Sequence, residues 1–180
     1  MHSREFDWRI EPLRDILSGL AAGLAAIQER IDSEDGFDGI SAREHVEPLF
    51  GLALVAAQTY ALGTVSDLNA VRISRRVLEV KKLECYGCDT IRLKGGVTRI
   101  ELINASANYF KHHDEWTRWP TGNDLGAHDA KTLNRVGITE TTESSCIAAV
   151  DLLCGTSWEL IAFPQILQEW RAHLFSTLQK

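Results

Sequence analysis

No apolar run in this 180-residue chain, residues 50–57 among them, comes near the roughly 20 residues that span a bilayer. Residues 1–8 contain acids and no continuous apolar core, so no secretory leader is expected and a cytoplasmic location follows. Cysteine is scarce. Cys85, Cys88, Cys146 and Cys154 suffice for two disulfides on count alone, but without a leader they are expected to stay reduced. The chain also lacks a glycine-rich phosphate loop, a Ser-His-Asp pattern and a His-Glu-x-x-His pair. These absences exclude the common nucleotide-hydrolysing and protease classes.

What is present is an ordinary globular balance, 44% apolar and 24% charged, long enough for one domain across residues 1–180 with its own hydrophobic core. The net charge of −6 is unevenly spread. Residues 72–99 hold eight bases against three acids, a local +5 that leaves −11 elsewhere. The acidic remainder argues against nonspecific coating of nucleic acid. The basic middle, with Arg72, Arg75 and Arg76, is either a solvated helix face or a path for an anionic partner.

Hydrophobic spacing predicts helices rather than strands. Residues 10–31 place Leu13, Ile16, Leu17, Leu20, Leu24 and Ile27 at helical intervals. Gly19 and Gly23 form a small-residue stripe on that helix. A loop is expected at 33–40. Ser41 with Glu44 has the pattern of a capping box opening a second helix over 42–62, which Gly63 can end. A third helix is predicted from Ser66 or Asp67 to residue 83, with Cys85-Tyr86-Gly87-Cys88 breaking the pattern. A fourth covers 97–116, an irregular connection follows over 120–134, and a fifth ends near 154. The last runs over 157–178, with Pro164 as an expected kink. The expected fold is all-α, an up-and-down bundle of five to six helices.

The fourth helix concentrates the chemistry. On a wheel of ~100° per residue, Ile100, Leu102, Ile103, Ala107, Tyr109, Phe110 and Trp116 fill a wide apolar arc. Glu101, Asn104, Asn108, Lys111, His112 and Glu115 fall in a narrower polar band. That band is either the solvent face of an amphipathic helix or a binding strip. His112 is the candidate for proton transfer, since imidazole titrates near neutrality. Asn104, Asn108, Lys111 and Glu115 are candidate substrate-binding residues, the amide and ammonium groups being suited to phosphate. His113 and Asp114 fall inside the apolar arc if the helix continues through them. Either the helix frays before Asp114, or Asp114 meets Arg99 or Arg118, or this end faces a cleft or a second subunit.

The run Ala107-Asn108-x-x-Lys111-His112 near the end of a helix resembles the signature of HEPN domains, the higher eukaryote and prokaryote nucleotide-binding group. Many of them are ribonucleases of bacterial toxin–antitoxin and phage-defence systems. The signature has an arginine, a polar residue after it and a histidine about a turn later. The resemblance implies that two subunits pair around a shared RNA-cleaving cleft, without metal or other cofactor. It matches Asn108 to the polar position and His112 to the histidine. Ala107 stands where the family has arginine, which favours a weakened ribonuclease or a non-catalytic member that binds rather than cuts.

Other groupings carry less. Cys85-x-x-Cys88 is half a zinc site with no second half, and adjacent His112 and His113 point ~100° apart on a helix, so no metal is expected. His45 could meet the polar strip, or Glu44 and Glu47 could simply complement a helix start. Trp116 and Trp119 leave the fourth helix together, as a packed corner or as anchors for a protein partner. Two functions follow: a HEPN-like homodimer acting on RNA, or an acidic immunity protein or antitoxin that neutralises a basic toxin.

Overall fold

A computed structural model describes residues 7–33 and 39–178. Among them are seven α-helices and no strand, joined by short turns and one isolated bridge between Arg92 and Thr98. The expected all-α bundle is what the chain forms. Most of the expected 33–40 loop lies outside the described residues.

Helix α1 (Ile10–Ser33) buries Ile10, Leu13, Leu17 and Ile27. It packs on α2 (Gly39–Ser74), the longest helix and the centre of the molecule, which also touches α4, α6 and α7. Phe50, Ala53, Leu54, Ala57, Ala61 and Leu68 of α2 are fully enclosed or nearly so, at helical spacing. By length and composition α2 could cross a membrane, and 56% of its apolar window is buried against the rest of the protein.

Three boundaries differ from expectation here. Ser41 lies inside α2 rather than at its cap, its carbonyl 2.8 Å from Nδ1 of His45. Gly63 does not end the helix. A Cβ there would meet the guanidinium of Arg9 at 2.6 Å, so the glycine makes room for the Arg9–Asp67 pair at 3.0 Å. The expected second helix and residues 66–74 of the expected third are therefore one, which stops at Ser74 rather than at 83, because burial along the inner face outweighs a glycine cost of ~1 kcal/mol. Cys85 and Tyr86, expected to break helical structure, sit within the short helix α3 (Lys82–Gly87).

The start of α4 (Arg99–His112) is fixed twice over. Oγ1 of Thr98 accepts from the Glu101 amide at 3.0 Å, and a Glu101 carboxylate oxygen accepts from the Thr98 amide at 2.7 Å, a reciprocal cap the sequence reading missed. Asp89, buried, accepts from the Arg99 amide at 3.2 Å and from its guanidinium at 2.8 and 3.0 Å. Gly51 of α2 brings the two helices close: a Cβ there would sit 2.1 Å from the Phe110 ring.

The segment expected to be irregular contains α5 (Ala127–Val136), bounded by Gly126 at φ 84° and Gly137 at φ 98°. Ten residues with polar neighbours have little helical tendency alone. Ala130, Leu133 and Val136 are buried, and α5 packs along α4. Helix α6 (Ser145–Cys154) begins under the carboxylate of Glu47, which accepts from the amides of Cys146 and Ile147 at 2.7 and 2.9 Å. Glu47 thus serves the start of α6 rather than that of its own helix. In α7 (Ala162–Leu178) Pro164 falls in the first turn, where its missing amide has no partner to lose, so it is no interior kink.

Candidate functional site

The polar band of α4 is neither wholly exposed nor wholly buried. Asn104 is 5% exposed, Asn108 is half-buried, and His112 at the end of the helix is open. What holds the buried end is Gln58 of α2. Its Nε2 donates to Oδ1 of Asn104 at 3.0 Å and to Oδ1 of Asn108 at 2.8 Å. Its Oε1 accepts from Nζ of Lys111 at 2.8 Å. Gln58 escaped the sequence reading, though one signal was there: it is the sole amide in the uncharged stretch 48–66 of α2.

Asn108 in turn donates through Nδ2 to the Asp129 carboxylate of α5 at 3.1 Å. Burial raises the Asp129 pKa above the ordinary carboxylate value, against the lowering effect of the Asn108 bond and of His128, Lys82 and Lys111. Nothing in the sequence marks Asp129, whose segment has the polar composition of an irregular connection. Between α4 and α5 these groups line an open cleft of about 260 Å³, with Asn108, Asp129, His112, Glu115 and Trp116 around it and Gly126 at its wall. A Cβ on Gly126 would meet the Trp116 ring at 2.7 Å. Glycine there, already at a positive φ, lets the indole form that wall.

Nδ1 of His112 lies 3.2 Å from the Glu115 carboxylate, with the imidazole 48% exposed. α4 ends at His112, and His113–Glu115 form a 3-10 turn. Asp114 is 93% exposed, so the fraying alternative holds and the carboxylate does not enter the core. Arg99, one of its suggested partners, is taken by Asp89 and Glu169. Trp116 and Trp119 pack edge to face at 5.7 Å, and Tyr109 lies 5.6 Å and 6.0 Å from them. They form the packed corner, with Trp116 also reaching the cleft.

The cleft thus gathers Asn108, His112, Glu115 and Trp116, with Lys111 and Asn104 tied behind it through Gln58. Arg72, Arg75 and Arg76 stand apart. Arg72 lies fourteen residues beyond Gln58 along α2, ~21 Å at 1.5 Å per residue. It donates to the carbonyls of Leu78, at 2.7 Å, and of Leu178, joining the ends of α2 and α7. Ala107 is fully buried, so the position of the HEPN arginine turns into the core. His45 is exposed and does not join the strip.

Among the described residues no three His, Cys, Asp or Glu side chains are placed to share a metal. The four cysteines are free. Burial pushes the Cys85 thiol up to about 11 and that of Cys154 to about 12, which keeps them protonated near neutral pH. Chemically the cleft offers an imidazole beside one exposed carboxylate, a second carboxyl biased toward its protonated form, an amide and an indole face. Comparisons of the chain with protein families, with curated proteins and with solved structures find no match.

Proposed function

We propose that this chain is a HEPN-like helical protein of a bacterial toxin–antitoxin or phage-defence type, cytoplasmic and dimeric, that engages RNA at the cleft between α4 and α5. The observation that carries this reading is convergence. Asn108 and His112, the motif residues, share one cleft with Asp129 and an aromatic wall. An unstacked base would lie against Trp116. Lys82 and Lys111 supply positive charge around Asp129.

His112 takes the proton from a ribose 2′-hydroxyl, whose oxygen attacks the adjacent phosphorus. The bond to the 5′-oxygen breaks, leaving a 2′,3′-cyclic phosphate, and that oxygen takes its proton from water. Asp129, whose pKa burial raises above the ordinary carboxylate value, is the second acid in the cleft. The test is growth of bacteria expressing the chain alone, with total RNA run on a gel. Growth arrest with degraded RNA is expected, and His112→Ala is expected to relieve both while the protein stays folded. Persisting cleavage in folded His112→Ala would reject the role of His112.

One observation favours the second reading, a non-enzymatic acidic protein that neutralises a basic toxin. Lys111 is held by Gln58 at 2.8 Å and position 107 is in the core, so the cleft rim itself presents the carboxylates of Glu115 and Asp129. Normal growth and intact RNA in both strains would select that reading. Binding to its partner would then weaken steeply with salt.

A further inference from the structure

α2 presents to solvent a row of side chains with the spacing of a helix–helix seam. Leu52, Val55, Thr59, Leu62, Ser66 and Ile73 succeed one another at intervals of three, four and seven residues, the alternation that keeps one stripe against a partner helix. Leu52, Leu62 and Ile73 are 48%, 42% and 57% exposed. Alongside, Trp8 and Ile16 are 57% and 51% exposed. With Leu20, Leu52 and Val55 they line an open apolar groove of about 500 Å³ between α1 and α2.

Charge on this face is confined to Arg9, which lines the groove and is held by Asp67 at 3.0 Å. α1 has no charged residue from Ile16 to Gln28, and α2 none from Pro48 to Ser66, although Gly19, Ala22, Ala26 and Thr59 are exposed. A solvated helix face ordinarily carries charge, and a contiguous apolar one marks an interaction surface. An uncharged seam gives nothing for a basic or acidic partner to pair with along its length.

The charges lie at the two ends, and with opposite sign. Glu44 precedes the row and Arg76 follows it, both exposed. Arg76 sits at φ 59°, the left-handed residue just after the helix. If two copies of α2 lie antiparallel about an axis midway between Thr59 and Leu62, Val55 falls opposite Ser66 and Thr59 opposite Leu62. The same register sets Glu44 of each copy near Arg76 of the other. A parallel pairing would set like charges together and align the helix dipoles.

We propose that a second copy of this chain docks antiparallel along the outward row of α2, its helix entering the groove beside α1. The contact is isologous, so each element of it occurs twice. This docking supplies the dimer through α2 rather than around the α4–α5 cleft, and is independent of what that cleft binds.

Sedimentation equilibrium of the full chain tests it. Wild type is expected to have the mass of two 20.1 kDa copies. Leu52→Glu combined with Leu62→Glu, both at exposed positions, is expected to give a monomer with unchanged helical circular dichroism. Arg76→Glu alone is expected to weaken the dimer about tenfold, and adding Glu44→Arg to restore it, since each copy contributes one such exposed pair. A wild-type monomer at concentrations on the order of 100 μM would overturn the proposal. So would a dimer indifferent to the leucine changes, or a charge swap that restores nothing. Should the leucine variant lose helix, the charge swap alone decides.

Discussion

Gln58 and Asn108 meet across the α2–α4 contact, Nε2 of the first donating to Oδ1 of the second at 2.8 Å. That bond lets a core helix position the strip that ends at His112. Gln58 is 4% exposed, and its other amide atom holds Lys111. Gln58→Leu is therefore expected to cost about 1–3 kcal/mol, because Asn104 and Asn108 lose a donor and Lys111 an acceptor. Urea unfolding measures the loss. A variant as stable as wild type would mean that water replaces the amide.

The Arg99–Asp89 pair should respond more strongly. The two side chains are 11% and 1% exposed and meet at 2.8 Å. Arg99→Met strands a buried carboxylate and is expected to cost about 3–5 kcal/mol, part of which Asp89→Asn should recover in the double variant. Thermal midpoints of the two singles and the double form the cycle that checks it.

Two glycines should respond with opposite sign. Gly51→Ala drives a methyl into the Phe110 ring and is expected to destabilise by about 1–3 kcal/mol. Gly19 is also within a helix, and nothing lies within 4 Å of its added Cβ, so Gly19→Ala is expected to stabilise by about 0.5–1 kcal/mol. Denaturant midpoints of the two variants, taken side by side, decide the sign of each.

The pKa of Asp129 sets a pH dependence. Its folded value lies above the ordinary carboxylate one, chiefly through burial, so the fold favours the protonated carboxyl. That stability is complete below the unfolded pKa and is lost as pH rises through the raised folded value. Asp129→Asn keeps an oxygen to accept from Asn108 and cannot ionise. It is expected to melt higher than wild type at neutral pH, and the gap should close as pH falls below the ordinary carboxylate range. A gap of the opposite sign, or one that does not change with pH, would contradict the assignment.

Much of the fold was legible because helical spacing is a local property. The start of α1 and the buried positions of α2 follow from intervals of three and four apolar residues. Boundaries were less legible. Gly63 reads as a stop, yet the cost of one glycine is small against the burial of its neighbours on both sides. Residues 127–136 read as irregular, since their polar composition hides a helix made worthwhile by packing on α4.

By itself the sequence determined the all-helical class, the apolar face of a helix over 42–62 and the band that carries Asn108 and His112. Those depend on residue order within a turn or two of helix. Only the tertiary structure decided that Gln58 stands behind the band, that Asp129 faces it, and that position 107 turns inward. The partners of Asn108 lie 50 and 21 residues from it in the chain, and which of them meet is set by how helices pack rather than by any local preference.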